Sequence, residues 1–349
     1  MNAKVTRRTF LVGGTAVTAV MLGKLPRVRA HEIPPVNLYS SRHYKTNEAL
    51  YTSFPEGAVN LVEGKAGELI ETIASEGHNG PADVFLTADA GNLWKADTAG
   101  LFAPVYSSKI QSQIPANLRH PQNHWFGYST RARVIFYNRE RVNPIELSTY
   151  EDLADPKWRG KILIRPSNNI YNRSWIASLV TAYGAEEMKK WLEGFKANFA
   201  REPESNDTGQ IRACAEGIGD IAIANSYYYA RLLKSDDPAD REVVRKVGIF
   251  FPNQGPGERG THVNVSGGGL LKHSQNKEAA IAFLEYLTTP MSQVYFSRGN
   301  NEYPAVPGVA IDSVLDRLGS FTADPVNVSK FGENQATAVS LMEEVGWAG

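Results

Sequence analysis

Short strand-like and helix-like segments alternate along most of the chain, and two long extended runs interrupt them. "VNLYSS" (36–41) reads as a strand, followed by a polar turn and a helix around 45–54. "AVNLVEG" is a strand, and "AGELIETIASEG" a helix with Leu69, Ile70 and Ile73 on one face. "ADVFLTAD" is a strand, and "AGNLWKADTAGLF" a helix beginning near Asp89. Repeated units of this kind predict an α/β fold, a parallel sheet with helices on both faces. "WFGYSTRARVIFYNRERV" (125–142) and "VGIFFPNQGPGERGTHVNVSGGGLLKH" (247–273) are the long runs. Between them lie a strand "KILIRPS", helices "NRSWIASLVTAYG" and "MKKWLEGFKANF", and a strand "GIGDIAIANS". "NKEAAIAFLEYLTTPMSQVYFSRG" is helical, and a helix near 330–345 closes the chain. Two blocks and two extended crossings predict two lobes joined by a pair of strands. A small ligand would sit between them, at the carboxyl ends of the strands, under a hinge. The expected boundaries are 31–130 with 260–304 for one lobe, and 131–259 with 305–349 for the other.

Charge divides the chain unevenly. Lys plus Arg equals Asp plus Glu at 37 each, but residues 1–30 hold six bases and no acid. The remainder has 31 bases against 37 acids, a net of −6, and offers no electrostatic footprint for nucleic acid. The basic end carries "TRRTFLVGG" and an apolar stretch from Phe10 to Gly23. That stretch falls short of the about 20 apolar residues that span a bilayer. It suits a signal peptide, with "VRA" (Val28 to Ala30) as the cleavage site and the twin arginines pointing to the Tat route. The expected location is the periplasm. The single cysteine, Cys214, excludes an internal disulfide and reads as a small buried hydrophobe.

Tyrosines gather at the predicted strand ends. "ANSYYYARL" follows the apolar "DIAI" directly. Asn225 or Ser226 would cap the next helix, which places Tyr227 and Tyr228 in its first turn. A helix N-terminus favours negative charge there, and Arg231 lies one turn on. "SSRHYKT" sets His43 and Tyr44 past the first strand, and "SNNIYNRS" sets Tyr171 after "KILIRPS". Packing, or stacking on a sugar-like ligand, would explain one or two such rings. Four phenols and an imidazole from three strand ends suit a cage around a hard cation. Ionising one tyrosine at pH 7 costs about 4 kcal/mol, so four cost about 16 kcal/mol. Ca²⁺ and Mg²⁺ prefer carboxylate, carbonyl and water, and Zn²⁺ prefers Cys and His. Fe³⁺, hard and triply charged, is the natural match, with Fe²⁺ left open. Four phenolates on Fe³⁺ leave −1, which an arginine would compensate. Arg231 is one candidate. Arg131 is another, since alternation in "YSTRARVIF" puts Ser129, Arg131 and Arg133 on one face.

With these residues the chain resembles the periplasmic ferric-iron-binding proteins that feed ABC importers. "NLYSSRHY", "PADVFLTADAGNLWKADTAGLF", "DPKWRGKILIRPS", "ANSYYYARL", "VSGGGLLKHSQNKEAAIAFLEYLTTP" and "GNNEYPAVPGV" match the family in order, over nearly all of the chain beyond the signal. The resemblance implies the two-lobed (type II) periplasmic binding-protein fold, a monomer, an ABC permease as partner and no catalysis. It places the family's paired phenols on Tyr227 and Tyr228 and its histidine on His43. Many bacterial members carry a carboxylate in the loop after the "DVF" strand, where this sequence has Ala88. They also bind an anion near the loop that here supplies Tyr171. The chain is thus similar to the tyrosine-rich branch typical of cyanobacteria, with Tyr44, Tyr171, Tyr227 and Tyr228 as ligands and His43 as ligand or gate. The departure leaves the need for an anion open.

Other signals carry less. His120 and His124 have helical metal spacing, but Pro121 between them makes them loop histidines. "VSGGGLL" lacks the lysine and spacing of a phosphate loop and fits a tightly packed strand. Ser266 lacks the first glycine of a nucleophile elbow. Trp94, Trp158, Trp175, Trp191 and Tyr229 read as packing. A polyamine, thiamine-like cation or organic anion is the rival ligand, and a metal-dependent hydrolase the rival class, but no catalytic constellation supports the latter.

Overall fold

The computed structural model describes residues 34–42 and 47–347; the expected signal segment, His43 and Tyr44 lie outside them. Among the described residues nine strands form one mixed sheet: β1 Val36–Ser40, β2 Val59–Glu63, β3 Val84–Ala88, β4 Phe126–Asn138, β5 Ile162–Leu163, β6 Ile221–Asn225, β7 Val247–Phe250, β8 Val263–Leu270 and β9 Tyr303–Pro304. The hydrogen-bonded path runs β2-β1-β3-β8-β4-β6-β5, with β7 and β9 also on β4. β1 is parallel to β2 and β3, as the strand–helix alternation predicts. The sheet is not parallel throughout, because β4 and β8 run antiparallel to their neighbours.

β4 is the axle of the fold. Its first part, Phe126 to Ala132, pairs with β8, and its second, Arg133 to Tyr137, pairs with β6. All thirteen of its residues are buried, because strands and helices of both blocks close over it. The second extended run is two strands, β7 and β8, separated by a Gly/Pro-rich loop over 251–262. Chain direction therefore passes between blocks inside β4 and again along that loop, the two crossings that the sequence implies.

The "GGG" of β8 is a packing device. A Cβ on Gly267 would lie 2.3 Å from the Phe126 carbonyl oxygen, one on Gly268 2.2 Å from that of Phe85, and one on Gly269 2.1 Å from that of His124. Backbone on both sides occupies the space a side chain would need. The two helices expected after "KILIRPS" run back to back within Ile170–Ala197 and are parted at Gly184, whose φ of 78° and ψ of 165° break the helical backbone. Trp158 and Trp175 are buried, and Cys214 is a buried thiol that burial pushes up to about 12. Among the described residues no helix is long and apolar enough to cross a membrane.

Candidate metal centre

Two helix N-termini bring three phenols to one place. β5 leads through a short loop to the helix Ile170–Ala197, which is capped by Asn169: its side chain accepts from Tyr171 N at 3.1 Å. β6 leads directly into the helix Ser226–Lys234. Tyr171 is the second residue of the first helix, and Tyr227 and Tyr228 the second and third of the other. The Tyr227 hydroxyl donates to the Tyr171 hydroxyl at 3.4 Å. The Tyr227 and Tyr228 rings lie 4.1 Å apart between centroids, inclined by 30°. Tyr229 turns away, donating its hydroxyl to the Val247 carbonyl at 2.7 Å, and packs as expected.

Arginines surround this cluster. The Arg231 guanidinium carbon stands 4.9 Å from the Tyr227 ring centroid and 5.6 Å from that of Tyr228. Arg131 stands 5.5 Å from the Tyr171 ring centroid, and Arg165 5.8 Å. Both sequence-predicted arginines are therefore at the site, and Arg165 is a third that the reading missed. Arg131 is buried and donates to Ser266 Oγ at 2.7 Å. Ser266 in turn donates to Glu302 Oε1 at 3.3 Å, and Glu302 Oε2 accepts from Ser129 and from Arg42 Nη2, the latter at 3.2 Å.

Beneath the tyrosines lies a second buried network. Arg133 Nη1 donates to Asp207 Oδ2 at 3.2 Å and to Asn225 Oδ1 at 3.0 Å, and its Nη2 to Asn172 Oδ1 at 2.5 Å. Asp207 also accepts from Asn225 N at 3.0 Å and from Arg165 Nη1 at 3.4 Å. Two guanidinium groups thus share one carboxylate, and the surplus positive charge sits beside the phenols. Arg133 fell on the predicted polar face of β4; Asp207 carried no local signal, because the groups it meets, Arg133, Arg165 and Asn225, are far along the chain.

The structure corrects one expectation. The helix dipole was expected to ease phenol ionisation. Burial, with the Tyr171 and Asp207 charges behind it, instead pushes Tyr228 up to about 12. In the metal-free protein desolvation outweighs the dipole. Asn225 occupies the N-cap position as expected, but its side chain makes no capping bond because it faces Arg133.

The loop after β3 contributes no free carboxylate. Asp89 is fully buried, and its Oδ1 accepts from Gly91 N at 2.8 Å and from Ser174 Oγ at 2.5 Å, its Oδ2 from Asn264 Nδ2 at 2.9 Å. Ala88, the position matched to the family carboxylate, has only a methyl group and no donor atom to offer.

The chain matches the model of the family described as bacterial extracellular solute-binding protein over residues 79–320. It is 60% identical over 347 residues to iron uptake protein A2 of Synechocystis, covering 99% of this chain and 100% of that one. It is 27% identical to the Fe(3+)-binding periplasmic protein of Serratia marcescens over 88% of this chain and 89% of that one. Apo FutA2 from Synechocystis superposes with a TM-score of 0.88 at 61% identity, covering 90% of this chain and 99% of that one. A Trichodesmium relative solved with iron and citrate ligands superposes with a TM-score of 0.88 at 59% identity, covering 90% and 100%. The chain carrying this tyrosine cluster at two helix N-termini is a member of the bacterial extracellular solute-binding proteins.

Proposed function

We propose that this chain is an exported ferric-iron carrier that hands its ion to an ABC permease in the membrane and catalyses no reaction. The observation that carries the reading is the meeting of Tyr171, Tyr227 and Tyr228 among three arginines, Arg131, Arg165 and Arg231. Tyr44 would complete a four-phenolate set, with His43 as ligand or gate. The relatives named for iron uptake and ferric binding support the same ligand. We assign residues 1–30 to a Tat-type signal and 31–130 with 260–304 to the first lobe. Residues 131–259 with 305–349 form the second, and the mature protein works in the periplasm.

The chemistry follows from charge. Each phenol must lose its proton to bind, at about 4 kcal/mol for an ordinary tyrosine and about 7 kcal/mol for one at pKa 12. A trivalent cation offsets this through short bonds to phenolate, and divalent ions do so poorly. Arg131, Arg165 and Arg231 stabilise the net −1 that four phenolates leave on Fe³⁺. Opening of the lobes, protonation of phenolates or reduction to Fe²⁺ would release the ion. The carboxylates nearby, Asp207 and Glu302, are each bonded to several protein groups, as is Asp89 in the β3 turn, which disfavours a polyamine.

The test is titration of the metal-free protein with ferric citrate, followed through the visible phenolate-to-iron band. Wild type takes up one equivalent and becomes coloured. Tyr227→Phe loses more affinity than the roughly 10–100-fold typical of an outer-shell partner. A colourless wild type, or an unchanged Tyr227→Phe, ends the proposal.

A further inference from the structure

Away from the tyrosines, a second group of donors converges. The helix Ala90–Thr98 places Asp97 in its last turn. The chain returns near it just before β4. His120 N donates to the Trp125 carbonyl at 3.0 Å and Asn123 N to the His120 carbonyl at 2.9 Å, with Asn123 at φ 60°. This tight loop, imposed by Pro121 where a helix cannot continue, sets the His120 and His124 rings side by side. Their centroids are 4.6 Å apart and their planes differ by 14°.

Both rings face one carboxylate. His124 Nδ1 lies 2.6 Å from Asp97 Oδ1, and His120 Nε2 lies 3.4 Å from Asp97 Oδ2. The three donor atoms lie within 4.8 Å of one another. Charge at this spot favours a cation. Asp97 sits where the carbonyl end of its helix already concentrates negative potential. Glu333, on the neighbouring helix Ser329–Glu333, adds its charge at His120, although it also pairs with Lys330. His120 is buried, and as a neutral imidazole it carries one N–H and one nitrogen with a free lone pair. The His124 side chain, 27% exposed, leaves a path from solvent.

We propose that Asp97, His120 and His124 bind a divalent transition-metal ion of the Zn²⁺ or Co²⁺ class, at a site separate from the tyrosine cluster. Two imidazoles and one carboxylate are the donor set of such borderline ions, and water fills the remaining position. Ca²⁺ and Mg²⁺ would ask for oxygen throughout. The protons balance. Without metal, His120 Nδ1 accepts from Gln122 N at 3.2 Å, so its proton sits on Nε2 and faces Asp97. His124 gives its Nδ1 proton to the same carboxylate. When the ion enters, each neutral ring moves its proton to the opposite nitrogen, and two N–H···O contacts become two N–metal bonds. The Gln122 amide, at the long end of a hydrogen bond, turns aside. The bound ion then ties the helix Ala90–Thr98 to the chain that leads into β4.

The experiment titrates the metal-free protein with Co²⁺ and with Zn²⁺, following cobalt absorption, binding heat and melting temperature. Wild type binds one equivalent, and a free concentration 100 times Kd raises Tm by about 4 °C. His124→Gln and Asp97→Asn abolish that equivalent, while Tyr227→Phe retains it. Asp97→Asn keeps the shape of the side chain, so it serves where the histidine variant folds poorly. Absence of cobalt uptake at millimolar concentration overturns the proposal. Uptake that persists in both His124→Gln and Asp97→Asn also overturns it, wherever the ion then sits.

Discussion

The turns after β3 and after β6 occupy matching places, each leading from the carboxyl end of a buried strand into a helix N-terminus, yet they use their polar groups in opposite ways. After β3, Asp89 turns its carboxylate inward, caps its own helix and accepts from Ser174 and Asn264. The negative charge that the helix dipole attracts is supplied by the protein itself. After β6, Asn225 turns its side chain down to Arg133 and leaves the helix without a side-chain cap. The positive end of that helix, with Arg231 above it and the Arg133–Asp207–Arg165 network below, is left to act on Tyr227 and Tyr228. One turn is a closed strut and the other is held ready for charge brought from outside. The difference lies in whether a carboxylate or an amide stands at the capping position, and in what lies beneath it.

The largest effect should come from the base of the β6 turn. Arg133 and Asp207 are a fully buried ion pair, and removing one partner of such a pair costs about 3–5 kcal/mol. Asp207→Asn should lower stability to urea by that amount. It should also move the alkaline ionisation of Tyr228 downward, because the Asp207 charge is one of the causes that raise it. A variant as stable as wild type would mean that the network does not hold the site, and the contrast between the turns would lose its foundation.

The phenol itself gives a smaller, pH-dependent effect. Tyr228 is held up to about 12, so the folded protein keeps a proton that the unfolded chain releases near pH 10. A raised folded value contributes stability that is complete below the unfolded pKa and is lost as pH rises through the folded one. For two units this is about 2–3 kcal/mol, lost between pH 10 and pH 12. Other buried tyrosines titrate as well, so the measured quantity is wild type minus Tyr228→Phe in the metal-free protein. A difference flat across that window would show the phenol to be solvated, and the β6 turn to be no more enclosed than open surface.

The strand–helix rhythm made the two blocks legible, and the two extended runs made the crossings legible, because both patterns are local in the chain. The parallel expectation failed only at β4 and β8, whose antiparallel pairing depends on chain far away. The break between the two helices at Gly184 was legible, since a glycine there permits the positive φ that ends the first helix. At the site, Tyr171, Tyr227, Tyr228, Arg131 and Arg231 were legible because each stands at a strand end or on an alternating face. Asp207 and Arg165 were not: Asp207 lies 18 residues from Asn225 and 42 from Arg165, the two groups it meets through folding. Asp97 with His120 and His124 was hidden in the same way: the pair of histidines was visible, and the carboxylate that unites them was not.

The smallest effect belongs to the β3 turn, and it separates the two turns most cleanly. Asp89→Asn preserves the capping oxygen, since Asn and Asp are equally good caps. The amide nitrogen would then face Asn264 Nδ2, and Asn264 cannot rotate in answer. Its Oδ1 already accepts from Ala90 N at 2.9 Å and from Val265 N at 2.8 Å. Two donors, Asn264 Nδ2 and the new amide, are left without an acceptor, at a cost of about 2 kcal/mol, the low end for two buried unsatisfied groups. Burial already pushes the Asp89 carboxyl up, so the loss of its charge costs little more. Because every Asp89 oxygen is occupied within the protein, ferric affinity and the visible band should stay at wild-type values, while Tyr227→Phe removes them. Comparing the two variants in one ferric citrate titration is the check. A loss of iron at Asp89→Asn equal to that at Tyr227→Phe would make the strut part of the metal centre after all.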